Sequence, residues 1–256
     1  MTRITRRSMI GSATGAALGL PLVSRPRQDA GPRKAKVVIA GAHPDDPESG
    51  CGGTAALYSD LGCEVVLLYL TRGEAGIPGK QAREAAAIRT GECQKACAIL
   101  KARPLFAGQI DGDCELSRTR YEEFRKLLEA ERPELVFTHW PVDTHRDHRV
   151  ISLLVYDAWI ESGRTFDLFY YEVEQGQQTQ QFVPTHYVDI TRSESRKRAA
   201  CYAHASQNPQ ADFYRLHEKM HQFRGLECGC ELAEAFVRHA QSGGGQLPPL
   251  RLRTPG

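Results

Sequence analysis

Three observations predict an α/β fold, a single Rossmann-like three-layer domain built on a mostly parallel sheet. Short apolar runs alternate with longer helical patterns along most of the 256 residues. The early runs are apolar throughout rather than alternating, as strands covered on both faces require. Each of these runs also ends in residues rich in His, Asp or Glu. In open α/β sheets ligands bind at the carboxyl ends of the strands, so the working site is expected there.

The elements follow in order. Lys36–Ala40 (KVVIA) is the first strand, closed by Gly41. The Gly-rich stretch Gly50–Thr54 leads into a helix ending near Leu61. Glu64–Leu70 (EVVLLYL) is a second buried strand, followed by a long helical pattern from about Lys80 to Lys101. A strand is expected at Leu105–Gln109, a helix from about Arg118 to Ala130, a strand at Leu135–Trp140 and a helix from about Asp147 to Ser162. Leu168–Glu174 and His186–Asp189 read as two more strands, and Ser193–Ser206 and Ala211–Arg224 as helices. No internal repeat is visible. The Gly- and Pro-rich end, 241–256, reads as a disordered tail, leaving 31–240 as the folded domain.

The first thirty residues differ in character. Arg6-Arg7 precedes a mildly apolar stretch, Gly11–Val23, with Arg25 and Arg27 after it. The pattern resembles a twin-arginine export signal over residues 1–30, which predicts a periplasmic or extracellular enzyme. A basic tail on a cytoplasmic protein is the other reading. No apolar run reaches the ~20 residues of a membrane span. A formal charge of +2 gives no reason to expect nucleic acid as a partner. The eight cysteines form no paired C-x-x-C knuckles and read as buried small hydrophobes with one or two bridges. Cys93 and Cys97 lie one helical turn apart, and Cys228 and Cys230 flank a glycine.

Four strand ends carry the chemistry. They are His43-Pro44-Asp45-Asp46, Thr71-Arg72-Gly73-Glu74, Asp111-Gly112-Asp113, and Asp143 through His148 (DTHRDH). His43/Asp46 and His145/His148 are both i,i+3 pairs, whose side chains can point the same way from a helical turn. Together they can supply three N/O ligands and leave a base over. A catalytic zinc site needs such a set, with its fourth position open. The same donors suit Fe²⁺, Co²⁺ or Mn²⁺. The turn after the first strand lacks G-x-G-x-x-G, which argues against a dinucleotide site. His139, His186, His217, His221 and His239 belong to no motif and read as ordinary surface or hydrogen-bonded histidines.

Ala42-His43-Pro44-Asp45-Asp46, followed by Gly50-Cys51-Gly52-Gly53-Thr54 and later by His145-Arg146-Asp147-His148, resembles the LmbE-like, or PIG-L, family of N-acetylglucosaminyl deacetylases. Leu70–Gly76 and His204–Gln207 also look like family segments, and the resemblance covers roughly residues 35–210. It implies a zinc-dependent hydrolase, with one ion per chain, that removes an N-acetyl group from an N-acetylglucosamine-containing or related amino-sugar compound. By the same resemblance His43, Asp46 and His148 bind the metal, and Asp45 is the general base. His145 stabilises the oxyanion as imidazolium or protonates the leaving amine, with Asp147 as its orienting carboxylate. Arg72 and Asp111 are expected to hold the substrate. Glu74 is expected to cap the following turn, and Ser206 and Gln207 to close the site. In one departure, many members place Glu directly after the paired aspartates. Here Pro47 stands there and Glu48 follows, so that residue's role does not transfer. A zinc amidase acting on a non-sugar N-acyl compound would use the same chemistry. A non-catalytic sugar-binding protein is opposed by the presence of all three ligands together with Asp45.

Overall fold

A computed structural model describes residues 35–211 and 213–243. The expected export signal at 1–30 lies outside the described residues. The chain runs through β1 (Lys36–Gly41), α1 (Asp46–Asp60), β2 (Glu64–Tyr69), α2 (Ala82–Leu100), β3 (Arg103–Phe106), α3 (Arg118–Glu131) and β4 (Leu135–His139). It continues through α4 (Arg146–Glu161), β5 (Asp167–Tyr171), β6 (His186–Asp189), α5 (Glu194–Tyr202), a 3-10 turn (Ala205–Gln207), α6 (Tyr214–Cys228) and β7 (Ala233–Arg238).

The strands form one sheet in the order β3-β2-β1-β4-β5-β7-β6. The first five in that order are parallel, and β7 runs antiparallel to both β5 and β6. Side-chain alternation sorts the apolar strands into two cores. Val37, Ile39, Val65, Leu67 and Phe137 pack with Cys51, Ala55, Cys93 and Ala96 of α1 and α2. Val38, Ala40, Val66, Leu68 and Val136 face Phe124, Leu128, Ile151 and Leu154 of α3 and α4. The three expected layers are thus present. Among the described residues no helix is long and apolar enough to cross a membrane.

Three local differences from the sequence expectations have physical causes. First, α1 begins at Asp46 and takes in the whole Gly-rich stretch, which reads as loop by propensity. A Cβ at Gly53 would stand 2.6 Å from Ile190 Cγ2, and one at Gly52 would stand 2.8 Å from Lys197 Cγ. These glycines let α1 press against α5 and its approach. Pro47 is tolerated because it falls in the first turn, where no helical N–H partner is needed. Second, β7 escapes a sequence reading. AEAFVR has one β-branched residue, and its Glu234 is fully buried. Third, the start of the stretch expected as a tail is tied down, Ser242 Oγ accepting the Leu168 N–H at 3.0 Å, and 244–256 lie outside the described residues.

Glu234 is buried with its bonds satisfied. Its two oxygens accept the N–H groups of Gly53 and Thr54, both at 2.8 Å. Lys197 Nζ lies 2.7 Å from Glu234 and 2.7 Å from Glu174, all three side chains being shut off from solvent. His221 Nε2 donates to the same Glu174 oxygen at 2.6 Å. One buried ammonium therefore ties α5, α1, β7 and the segment after β5 together. Of the histidines read as surface or hydrogen-bonded, His217 and His221 are fully buried, and His221 is hydrogen-bonded.

Candidate metal centre

Asp46 opens α1 directly beyond β1, and its Oδ2 is a hub. It accepts the His43 N–H at 2.8 Å. Three imidazole nitrogens surround it: His43 Nδ1 at 3.3 Å, His139 Nε2 at 3.2 Å and His148 Nε2 at 3.4 Å. Around a four-coordinate zinc with bonds of about 2.0–2.1 Å, tetrahedral geometry sets neighbouring donors about 3.3 Å apart. The spacing of these donors fits such an ion. Donor atoms of His43, His145 and His148 lie within 4.8 Å of one another, as do those of Asp46, His139 and His148, and those of His43, Asp111 and Asp147. His43, Asp46 and His148 are thus brought together as the sequence predicts. The arrangement also adds His139, which sequence reasoning set aside. His139 is the last residue of β4, on the same strand face as Phe137. Its ring stacks on that of His148 at 3.9 Å. Burial, reinforced by the charge of His148, pulls its pKa down to about 4. It is therefore neutral, and its Nε2 accepts the Ala42 N–H at 3.3 Å.

The outer nitrogens of the histidines meet carboxylates. His43 Nε2 faces Asp111 Oδ1 at 3.1 Å and Asp147 Oδ2 at 3.4 Å. His148 Nδ1 faces Asp143 Oδ1 at 3.2 Å. Such partners fix ring orientation and raise ligand basicity. Burial opposes protonation of His43, but Asp111, Asp147 and Asp46 outweigh it and hold the pKa well above the usual value. His148 likewise rises to about 9 against burial, chiefly through Asp46 and Asp143. The donor set thus has an electrostatic demand for positive charge, which a divalent ion meets. Asp143 is itself positioned by Thr179 Oγ1, which donates to it at 3.0 Å. We expect Asp143→Asn to weaken metal binding by about 10–100-fold with the fold intact. Titration with a competing chelator measures this, and unchanged affinity would remove Asp143 from the site.

Several expected roles change partners. Asp147 was expected to orient His145, but its carboxylate turns to His43 and accepts the Gly112 N–H at 2.8 Å. His145 is instead the N-cap of α4, where its Nδ1 accepts the Asp147 N–H at 3.2 Å. That bond leaves Nε2 as the hydrogen-bearing nitrogen. Burial and the charges of His43 and His148 lower its pKa, which disfavours the imidazolium form. Arg72 is exposed and is not among the residues lining the pocket, its guanidinium 4.9 Å from the centre of the Phe106 ring. Arg89 from α2 occupies the corresponding place. It is buried, and its Nη2 donates to Asp45 Oδ2 at 2.8 Å and to the Pro44 carbonyl. Gly73, at φ 70°, lies against its side chain. Glu74 accepts the N–H groups of Arg72 and Asp111, both at 3.2 Å, and so braces two strand-end turns.

Asp45 is the N-cap of α1 at φ 114°, an unusual conformation for a non-glycine residue and one that concentrates at functional sites. Burial pushes its carboxyl up to about 6, with Arg89 pulling down and the like charge of Asp46 pushing up. Behind it Glu48, fully buried, accepts from Tyr69 Oη at 2.8 Å and faces His204 Nε2 at 3.0 Å. The residue after Pro47 thus anchors the first turn of α1. Ser206 bonds Glu92 through both its N–H and its hydroxyl, and Gln207 reaches the Gly76 carbonyl at 3.0 Å. These contacts dock the 3-10 turn beside the pocket. The cavity, about 460 Å³, is lined by this centre together with Arg89, Asp111, Gln175, Gln178, Gln207 and Phe213. That volume is ordinary for a small-molecule site.

A family model described as PIG-L, GlcNAc-PI de-N-acetylase, matches residues 38–159. The chain is 32% identical over 198 residues to the diacetylchitobiose deacetylase of Thermococcus kodakarensis, covering 72% of this chain and 73% of that protein. It is 35% identical over 75 residues to the 1D-myo-inositol 2-acetamido-2-deoxy-alpha-D-glucopyranoside deacetylase 1 of Saccharopolyspora erythraea, 26% of this chain and 25% of that one. Among solved structures, the N,N'-diacetylchitobiose deacetylase from Pyrococcus horikoshii superposes with a TM-score of 0.71 at 25% identity, covering 80% of this chain and 83% of that one. With this match over most of both chains, and with its paired histidine motifs gathered at one pocket, the chain belongs to the PIG-L family of deacetylases.

Proposed function

We propose that the protein is a metal-dependent hydrolase that removes the acetyl group from an N-acetylated amino sugar, using one zinc ion held by His43, Asp46 and His148. The observation that carries the reading is the Asp46 hub, with imidazole nitrogens at 3.2–3.4 Å and the Arg89-paired carboxylate of Asp45 on the adjacent residue. When bound, such an ion supplies Lewis acidity toward water and the amide carbonyl. The chain's own residues do the rest. Asp45 accepts the proton of the attacking water. His145 offers its Nε2–H as a hydrogen bond to the developing oxyanion, and the proton that Asp45 took from water passes to the departing amine. Arg89 keeps Asp45 ionised and, with Asp111 and Gln207, lines the space for a hydroxyl-rich ring. The relatives act on acetylated glucosamine compounds by their names, which supports the substrate class.

The direct test is release of free amine from acetylated amino sugars and their conjugates by zinc-loaded protein. Turnover of simple N-acyl amino acids with none of the sugars would reject the sugar part of the reading. His148→Ala is expected to purify without stoichiometric metal under conditions that load the wild type. Full metal content in that variant would reject its ligand role.

The acid limb of kcat/KM reports the base, which works ionised. With Asp45 near 6, activity is expected to fall as pH drops through that value. Arg89→Met removes the charge that lowers the Asp45 pKa, so the limb is expected to move to higher pH. A limb that stays in place would break the link between the two residues.

A further inference from the structure

α6 ends at Cys228, and Gly229 follows in the left-handed region at φ 75°. The chain reverses there. Gly229 N–H and Cys230 N–H both bond the Gly225 carbonyl, at 2.8 and 3.0 Å. A Cβ at Gly225 would stand 2.7 Å from the Cys230 carbonyl oxygen, so the turn is packed tightly onto the helix. This turn places Cys228 Sγ 3.4 Å from Cys230 Sγ, with both residues half-exposed. The other cysteines are built differently. Cys51, Cys93, Cys97, Cys114 and Cys201 are buried, and Cys63 is half-exposed with its thiol pushed up by burial. Burial pushes the thiols of Cys51, Cys114 and Cys201 up, and the hydrogen bond to Cys97 does the same for Cys93. Access and a second thiol within reach decide which cysteines can close a bridge, and the pair at the end of α6 has both.

We propose that Cys228-Gly229-Cys230 is a redox-active dithiol that closes to an intramolecular disulfide on meeting a small disulfide such as oxidised glutathione. The Cys228 sulfur attacks one glutathione sulfur, forming a mixed disulfide and releasing one glutathione. The Cys230 sulfur then attacks Cys228 Sγ, forming the internal bond and releasing the second glutathione. Two protein thiols are oxidised and one glutathione disulfide is reduced to two thiols, which take up the two protons. A bridge closing so short a loop adds little chain-entropy stabilisation. Short, accessible bridges of this kind belong to the labile, exchangeable class rather than to structural staples. The site lies outside the metal pocket, so the outcome is independent of the deacetylase reading.

The test uses the full chain, reduced, desalted and exposed to oxidised glutathione, then alkylated after denaturation and mapped by mass spectrometry. Cys228 and Cys230 are expected to lose alkylation together and to appear in one peptide lighter by two hydrogens, without glutathione. Cys230→Ser is expected to trap glutathione on Cys228. The same reaction in urea-unfolded protein is expected to close more slowly, because the turn is gone. Both thiols still alkylated, a lasting glutathione adduct on the wild-type pair, or closure as fast in urea as in the native protein would each overturn the proposal.

Discussion

Asp45→Asn is expected to lower kcat by about 10²–10⁴-fold, the usual contribution of a positioned general base, while the protein still binds its metal. Asparagine is the informative replacement. It keeps the shape, it is among the few residues that tolerate positive φ, and its carbonyl oxygen can still accept from Arg89. The metal ligands are unaltered, so metal content separates loss of the base from loss of the ion. Assaying kcat on an acetylated amino sugar beside zinc stoichiometry decides the matter. A metal-loaded variant with near-normal turnover would move the base elsewhere in the pocket. The strained backbone at this residue gives the prediction added weight. The first turn of α1 is held by Glu48, Tyr69 and His204, so the conformation at Asp45 is imposed by its surroundings.

Lys197→Met is expected to cost about 3–5 kcal/mol of stability, the range for breaking a buried ion pair from one side. Two carboxylates, Glu174 and Glu234, would remain in a region closed to water. Lys197 is held well above its usual pKa against burial by these two neighbours. Glu174 is already pushed up to about 7 by burial with the ammonium present, so without it Glu174 would take up a proton at neutral pH. Glu234 would have to keep its bonds to Gly53 and Thr54 while uncompensated. Denaturant unfolding of the variant measures the loss. Adding Glu174→Gln to Lys197→Met is expected to recover part of it, because the two residues are in contact and their effects are not additive. A stability change under about 1 kcal/mol would mean that water reaches this cluster.

The parallel core of the fold is legible because continuous apolar runs leave strands few alternatives. The four histidine- and aspartate-bearing strand ends do meet at one pocket. The residues that escaped share a physical reason. His139 looks like any strand-end histidine until the ring of His148 lies on it. Asp143 stands in the strand-end segment but received no role there, and its hold on His148 shows only in the geometry. Arg89 acts through Asp45 and Pro44, distant in sequence, and no local pattern marks it. For Arg72 the sequence shows that an arginine follows β2 but not which way the turn throws it, and the side chain lies over Phe106. Arg89 sits mid-helix, where a buried guanidinium runs against the ordinary preference for solvent. Asp147 was given to its neighbour in sequence, although the N-cap bond of His145 had already used the near side. β7 was missed because antiparallel pairing between β5 and β6, rather than its own composition, makes it a strand.

β1 and β4 are neighbours in the sheet, yet the chain leaves one and returns to the other only after building α1, β2, α2, β3 and α3. His43 and Asp46 stand beyond the first of these strands, and His148 beyond the second. Under the proposed ligand set, an ion shared by them would be a rivet across a seam between the two halves of the sheet. Separating the halves would then require giving up the β1–β4 ladder and the ion together. Seam opening and metal release would become one thermodynamic event, and the free energy of that opening would rise with the logarithm of metal concentration above its dissociation constant. The catalytic ion would thus also govern how firmly the first part of the chain adheres to the second.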